Sequence, residues 1–239
     1  MNTSKIAVFA LFLLFITAGC ASTGSQYVLN PEYQNRAKAF DTSVTIFPLT
    51  EDLVEDSVWQ QHLNYAPENY SLINFANKQT FIKYFALSFS ETTTGEVNNV
   101  MADESVELSE EVDFSNQSLP INDKEELKLL VPEAGKLVTD EMETDFSLLI
   151  QSINWQIGQV EEQSKPIGGN NDLFIELVIK FKYVIWDNQR ERVAGYGLVR
   201  ESEVLSGRPG RITYIQIFEK ISREIVQNSP LQERYVQEY

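Results

Sequence analysis

Leu173-Phe-Ile-Glu176-Leu-Val-Ile-Lys180-Phe-Lys182-Tyr-Val-Ile-Trp186 alternates along its whole length. Ile175, Leu177, Ile179, Phe181, Tyr183 and Ile185 fall on one side, and Glu176, Lys180 and Lys182 on the other. A period of two sustained this far predicts a strand in a sheet with one covered face. Asp187-Asn-Gln-Arg190 supplies a turn, and Arg192 to Glu203 is expected to return antiparallel. Upstream, Phe146 to Ile157 reads as another strand, and Lys165 to Asn171, with Gly168-Gly169, as a turn or flexible loop. Gly195 and Gly197 inside the return strand predict a bulge or another element packed closely over it. They do not make a dinucleotide loop: the third Gly is missing, and the pair lies within a strand instead of between strand and helix.

Working outward, Ser43 to Leu49 is a short strand candidate through Val44 and Ile46. Phe81, Phe85 and Phe89 recur every four residues and predict a helix from about Gln79 to Glu91, stopping before Thr92-Thr-Thr94-Gly95. Aromatics are dense from Trp59 to Phe89; a core-plugging role is the simpler reading, and a stacking surface for sugars or a partner the other. Asn122 to Val131, closed by Pro132, reads as a short capped helix. Ser206 to Arg211 breaks the chain, and Pro209 suits the first turn of a last helix. That helix carries a stripe of Ile212, Ile215, Phe218, Ile221 and Ile225, and Asn228-Ser-Pro230 ends it. The order of elements predicts an α+β fold: a mostly antiparallel sheet of about four strands, covered on one face by two or three helices. The N-terminal strand is expected to join beside a later strand after the helical excursion.

Composition narrows the chemistry. The 239 residues hold one Cys and one His, too few for a disulfide framework, a zinc finger or a Ser-His-Asp or Cys-His mechanism. A formal net charge of −16 argues against non-specific binding to nucleic acid or to an anionic membrane. Residues 103–145 hold 14 Asp or Glu against three Lys, with Glu107, Glu110 and Glu111 in the densest part. Their spacing fits no EF-hand, so a solvated charge run is expected and no metal or cofactor is assigned. No nucleophile elbow, P-loop or zinc-protease motif occurs, and His62 reads as a surface or packing residue. No catalytic residue is named; a carboxylate-dependent hydrolase stays open because acids are plentiful.

The first twenty residues are the most specific. Lys5 precedes an unbroken apolar run from Ile6 to Ile16, then Thr17-Ala18-Gly19-Cys20. That is the layout of an export signal, and an eleven-residue run is too short to span a bilayer. Ile16 to Cys20 resembles the lipobox of bacterial lipoproteins, with Thr17 in place of the more usual Leu. The resemblance implies cleavage before Cys20, a diacylglycerol on its sulfur and an acyl chain on its new N-terminus, together sufficient to hold a protein on a membrane. An ordinary cleavage site releasing a soluble protein is the alternative. Ala21, where an Asp would mark inner-membrane retention, implies the outer membrane, facing the periplasm.

A second resemblance rests on layout: a strand ending in Ile46-Phe-Pro48, a helix, the strand beginning Asp145-Phe-Ser-Leu-Leu-Ile150, a hairpin turning on Ile185-Trp-Asp187-Asn, and a closing helix. It is similar to the small periplasmic α/β lipoprotein domains of the curli-secretion-lipoprotein, TolB-N-terminal-like and transport-auxiliary group. The resulting division is a signal peptide at 1–19, a lipidated Cys20 with a flexible tether to 39, one α+β domain at 40–228 with an acidic insertion about 103–121, and a tail at 229–239. The group implies a non-catalytic accessory or assembly component of a cell-envelope complex, with the membrane and an envelope protein as partners. A lipid- or glycan-binding envelope protein is the alternative. Candidate partner-binding residues are Arg190, Arg192, Arg200, Arg208 and Arg211 for acidic groups, and Glu107, Glu110 and Glu111 for basic ones. Glu191, Glu201 and Glu203 interleave with the Arg set, and simple pairing on the strand surface is the plainer reading.

Overall fold

The structure is a computed structural model and describes residues 24–34, 42–49, 78–93, 97–99, 112–137, 143–161, 173–205 and 210–231. Eight strands and two α-helices appear among them: β1 Gln26–Leu29, β2 Val44–Pro48, α1 Lys78–Thr92, β3 Val97–Asn99, β4 Phe114–Pro120, β5 Glu126–Pro132, β6 Phe146–Glu161, β7 Leu173–Asp187, β8 Arg192–Leu205 and α2 Arg211–Gln227. A 3₁₀ turn, Pro31–Tyr33, follows β1. The fold is α+β, but the main sheet has six strands in the order β1-β8-β7-β6-β2-β3 instead of about four.

The long alternating stretch is the centre of that sheet. β7 pairs antiparallel with β6 on one side and β8 on the other. β2 joins parallel to β6, Val44 opposite Phe146, and β3 lies parallel to β2. β2, α1 and β3 therefore form a crossover, which sends the chain over the face that α1 buries. Leu177, Ile179, Phe181, Tyr183 and Ile185 all lie beneath the helices at 0–1% exposure. Phe85 and Phe89 of α1 are fully buried, and the Phe85 ring lies 4.5 Å from Phe181 and 5.9 Å from Phe218 of α2. Hydroxyls close the end of α1: Ser90 Oγ donates to Leu87 O, and Thr92 Oγ1 to Phe89 O.

The stripe on α2 is rotated from the expected one. Tyr214, Ile217, Phe218, Ile221 and Ile225 are buried, whereas Ile212 is 71% exposed and Ile215 half-buried. Ile212 lies in the first turn, and burial begins only at Tyr214, whose ring centre lies 5.3 Å from that of Trp155 at a tilt of 52°. Ser229, Pro230 and Leu231, expected in a tail, are buried after the helix.

Three further expectations need correction. Asn122 to Val131 is not a helix. It is an Asx turn, with Asn122 Oδ1 accepting from the N–H of Lys124 and Glu125, followed by β5, antiparallel to β4. Leu127, Leu129 and Val131 alternate, and Leu129 and Val131 are about 1% exposed. Period two wins because this face meets Leu149, Val184, Trp186 and Tyr196 on the side of the sheet away from the helices. The acidic insertion is correspondingly not all solvated loop, since Phe114–Pro120 is β4. Three side chains pin the hairpin down: Gln151 exchanges two hydrogen bonds with the backbone of Leu130, Trp186 Nε1 donates to Gly135 O, and Tyr196 Oη donates to Pro120 O. Gln151 is free to do so because it is the extra residue of a bulge between Ile150 and Ser152.

Lastly, the expected tether contains structure. β1 pairs antiparallel with β8, Gln26 opposite Leu198 and Leu29 opposite Gly195. The two glycines permit this. A Cβ on Gly197 would stand 2.6 Å from Gln26 O, and one on Gly195 3.1 Å from Val28 O. The predicted bulge is also present, between Ile185 and Trp186 on β7, with Ala194 as the extra residue on β8.

Candidate functional site

The turn at 187–191 is built on side-chain hydrogen bonds. Asp187 Oδ1 accepts from the N–H of Gln189 and Arg190, and its Oδ2 accepts at 2.6 Å from the hydroxyl of buried Tyr33. Burial first, and this bond second, raise the Tyr33 phenol above its usual range. Arg190 and Arg192 both approach the Tyr33 ring, at 5.3 and 5.6 Å from its centre. Arg192 also makes a two-point contact with Glu32, which holds that carboxyl below its ordinary range. Five side chains thus converge where the 3₁₀ turn crosses the end of β8. A groove of about 460 Å³ opens beside them, lined by Val28, Leu119, Arg192, Val193 and Tyr196 among others.

Arg200 is elsewhere. It lies half-buried in β8, directly opposite Lys180 of β7, with Lys182 two residues along. All three occupy the sheet face away from the helices. Like charges opposite each other on neighbouring strands disfavour the pairing. Among the described residues neither lysine has an acidic partner within ion-pair distance. Arg211 is separate again, at the start of α2, with its guanidinium 5.1 Å above the Tyr84 ring. Of the sequence candidates, the fold brings together Arg190 and Arg192 only. Cys20, Arg208, Glu107, Glu110, Glu111 and His62 lie outside the described residues.

The expected Arg–Glu pairing along the strand surface is not what Glu203 shows, because neighbouring residues of a strand face opposite ways. Glu201 and Glu203 turn to the helix side, where Lys220 Nζ donates to Glu203 Oε2 and Ser202 O. Burial, and then Glu224, raise the Glu201 carboxyl above its ordinary pKa. A carboxyl raised on folding favours the folded state at pH below its unfolded pKa and loses that advantage as pH rises through the folded value. Glu201→Gln is therefore expected to raise Tm at neutral pH and to give no gain near pH 4. A gain equal at both pH values would show that its charge is not the cause. Glu191 instead accepts from Gly135 N–H, reaching from the turn to the end of the hairpin.

Sequence reasoning missed Glu32, Tyr33, Lys180 and Lys182 as members of these clusters. The lysines were visible as the polar side of β7, but which residues oppose them depends on the bulge at Ala194.

No family model matches this chain. No curated protein matches it either. Among solved structures, it is similar to a PelC dodecamer from Paraburkholderia phytofirmans, at 10% identity and a TM-score of 0.37, over 88% of this chain and 98% of that one. Among the described residues no helix is long and apolar enough to cross a membrane, and no group of three or more His, Cys, Asp or Glu is placed to hold a metal ion.

Proposed function

We propose that this protein is a lipid-anchored bacterial envelope lipoprotein, held through Cys20 on the outer membrane facing the periplasm, and that it is a non-catalytic accessory component of an envelope complex. The lipobox-like Ile16 to Cys20 supports the anchor. The observation that carries the rest is where the chain re-enters the fold: β1 begins six residues after Cys20 and is bonded along the edge of the sheet. Five residues from Cys20 to Ser25 reach at most about 18 Å. An anchor so close to a sheet edge holds the body against the membrane, a placement suited to a component that works on its neighbours there. Arg190 and Arg192, held beside Tyr33 and Glu32, offer such a neighbour a fixed cluster of mixed charge.

Cys20→Ser tests the anchor. The wild-type protein is expected in the membrane fraction with lipid mass on its N-terminal peptide, and the variant unprocessed or without that mass. Lipid labelling of Cys20→Ser at the wild-type level would remove the assignment. Crosslinking in cells followed by mass spectrometry tests the accessory role, for which a stoichiometric envelope protein is expected. Recovery of the protein alone would oppose it. The groove beside Tyr196 favours a second reading, a lipid- or glycan-binding envelope protein, and bound lipid or saccharide in that sample would support it.

A further inference from the structure

We infer that the outer edge of β4 and the groove beside it bind an extended peptide segment of a partner protein, which adds a third strand to the β4–β5 hairpin. The inference rests on the accessory-component reading above, to which it adds the place and the chemistry of the contact.

The edge comes first. Gln151 exchanges hydrogen bonds with the N–H and O of Leu130, so those groups point out of the hairpin from β5. Leu130 lies opposite Asn116. In an antiparallel pair, directly opposed residues turn their backbone groups both inward or both outward, and the two cases alternate along the strand. Asn116, Ser118 and Pro120 therefore turn theirs out from β4, and Pro120 O accepts from outside the hairpin, from Tyr196 Oη. Asn116 and Ser118 are exposed, and among the described residues no hydrogen bond reaches their N–H or O. The β5 edge is stapled at Leu130, and the β4 edge is left free. β4 also lacks two usual guards of a free edge: it has no charged residue, and no bulge interrupts its register with β5.

The groove of about 460 Å³ lies along this edge. Gln117 and Leu119 of β4 line it from the hairpin, and Val28 of β1 with Val193 and Tyr196 of β8 line it from the sheet. The hairpin's other edge meets Gln151 of β6, so β4 faces the β1 side of the sheet. A strand added about 4.8 Å from β4 would run over β1 and the start of β8. Its inward side chains would meet Val28, Leu119 and Val193, which are apolar and only partly buried. Charge agrees: Arg192 is the one charged side chain of the lining and already pairs with Glu32, so the groove suits an uncharged backbone with apolar side chains. The outward groups of Asn116 and Ser118 repeat every two residues, about 6.8 Å, which is the repeat of another extended chain. Backbone pairing then supplies affinity and alternate side chains supply selection, whereas an acyl chain has nothing to bond to this edge.

The test uses the full-length protein as purified from cells and a fluorescent peptide of repeated Thr-Val flanked by Lys and capped at both ends. Fluorescence anisotropy is expected to show saturable binding. Ser118→Pro removes an outward N–H of β4, while the bonds to β5 are made by Gln117 and Leu119 and stay. Lys128→Pro, directly opposite on β5, is the matched control. Binding is expected to weaken by about fivefold or more in Ser118→Pro, for one lost hydrogen bond, and by less than about twofold in Lys128→Pro. A peptide N-methylated at its two central residues cannot complete the ladder in either direction, and should bind the unaltered protein more weakly by about fivefold or more. No binding, equal losses in both proline variants, or equal binding of the methylated peptide overturns the inference; the last is what a lipid site would give. If either proline variant fails to fold, the methylated peptide decides. Crosslinking in cells separates the two claims. A stoichiometric envelope partner without peptide binding at β4 keeps the accessory reading and removes this site. Peptide binding at β4, with the protein recovered alone from cells, removes the accessory reading and keeps the site.

Discussion

Phe85→Ala is expected to cost about 3–5 kcal/mol, the range for truncating a fully buried aromatic. Phe85 has no exposed surface and its ring meets Phe89, Phe181 and Phe218, so one side chain joins both helices to the central strand. For a domain of this size, each kcal/mol lowers Tm by about 2–4 °C, and a drop of roughly 6–20 °C should appear in a thermal melt. Leu87, two residues on and 54% exposed, is the control. Its replacement by Ala should change stability by less than about 0.5 kcal/mol. Similar small losses at both sites would mean that α1 does not lie on the sheet through this face.

Asn188→Ala should be nearly as damaging, at about 3 kcal/mol, for a different reason. Asn188 is fully buried in the β7–β8 turn. Its Nδ2 donates to Thr144 O and Ser147 Oγ, both at 2.9 Å, and its Oδ1 accepts from Leu137 N–H at 3.1 Å. Alanine removes those partners and strands a buried amide and a buried carbonyl away from water. Asn188→Asp keeps the acceptor for Leu137 but buries a carboxylate against Thr144 O. Burial raises that carboxyl's pKa, so the variant should be weakest at neutral pH and regain stability as pH falls through the raised value. Chemical denaturation of both variants checks this. A loss under about 1 kcal/mol for Asn188→Ala would show that the network is not what holds the turn.

These sites differ in how far they could be read without coordinates. The Phe81, Phe85, Phe89 spacing exposes a helix face directly, because a 3.6-residue period is a local property of the chain. Asn188 looks like any turn residue. Its importance comes from Leu137 and Thr144, more than forty residues away, and no local pattern announces such a partner. The segment Asn122 to Val131 shows a conflict between signals. A capping residue, early acids and a closing Pro suggest a helix, yet Leu127, Leu129 and Val131 also alternate. A short segment satisfies both templates, and the apolar face of Leu149, Val184, Trp186 and Tyr196 decides for the strand. β1 was hidden because its four residues are too few to show a period, and it is a strand only because β8 offers an edge with Gly195 and Gly197 beneath it.

The sequence by itself determined the α+β class, the central strand β7 with its covered face, the return through β8, the two helices and the lipobox-like approach to Cys20. Each of these is written in neighbouring residues, as a period or a motif. Tertiary structure alone decided the six-strand order, the parallel junctions of β2, the hairpin on the second face and the company that each arginine keeps. The bulge at Ala194 shows why. Side chains alternate with a period of two, so one extra residue shifts the register of β8 against β7 and exchanges its faces. With it, Arg200 stands opposite Lys180 on the face away from the helices. Without it, Val199 would stand there, and Arg200 would face Ile179 and the helices.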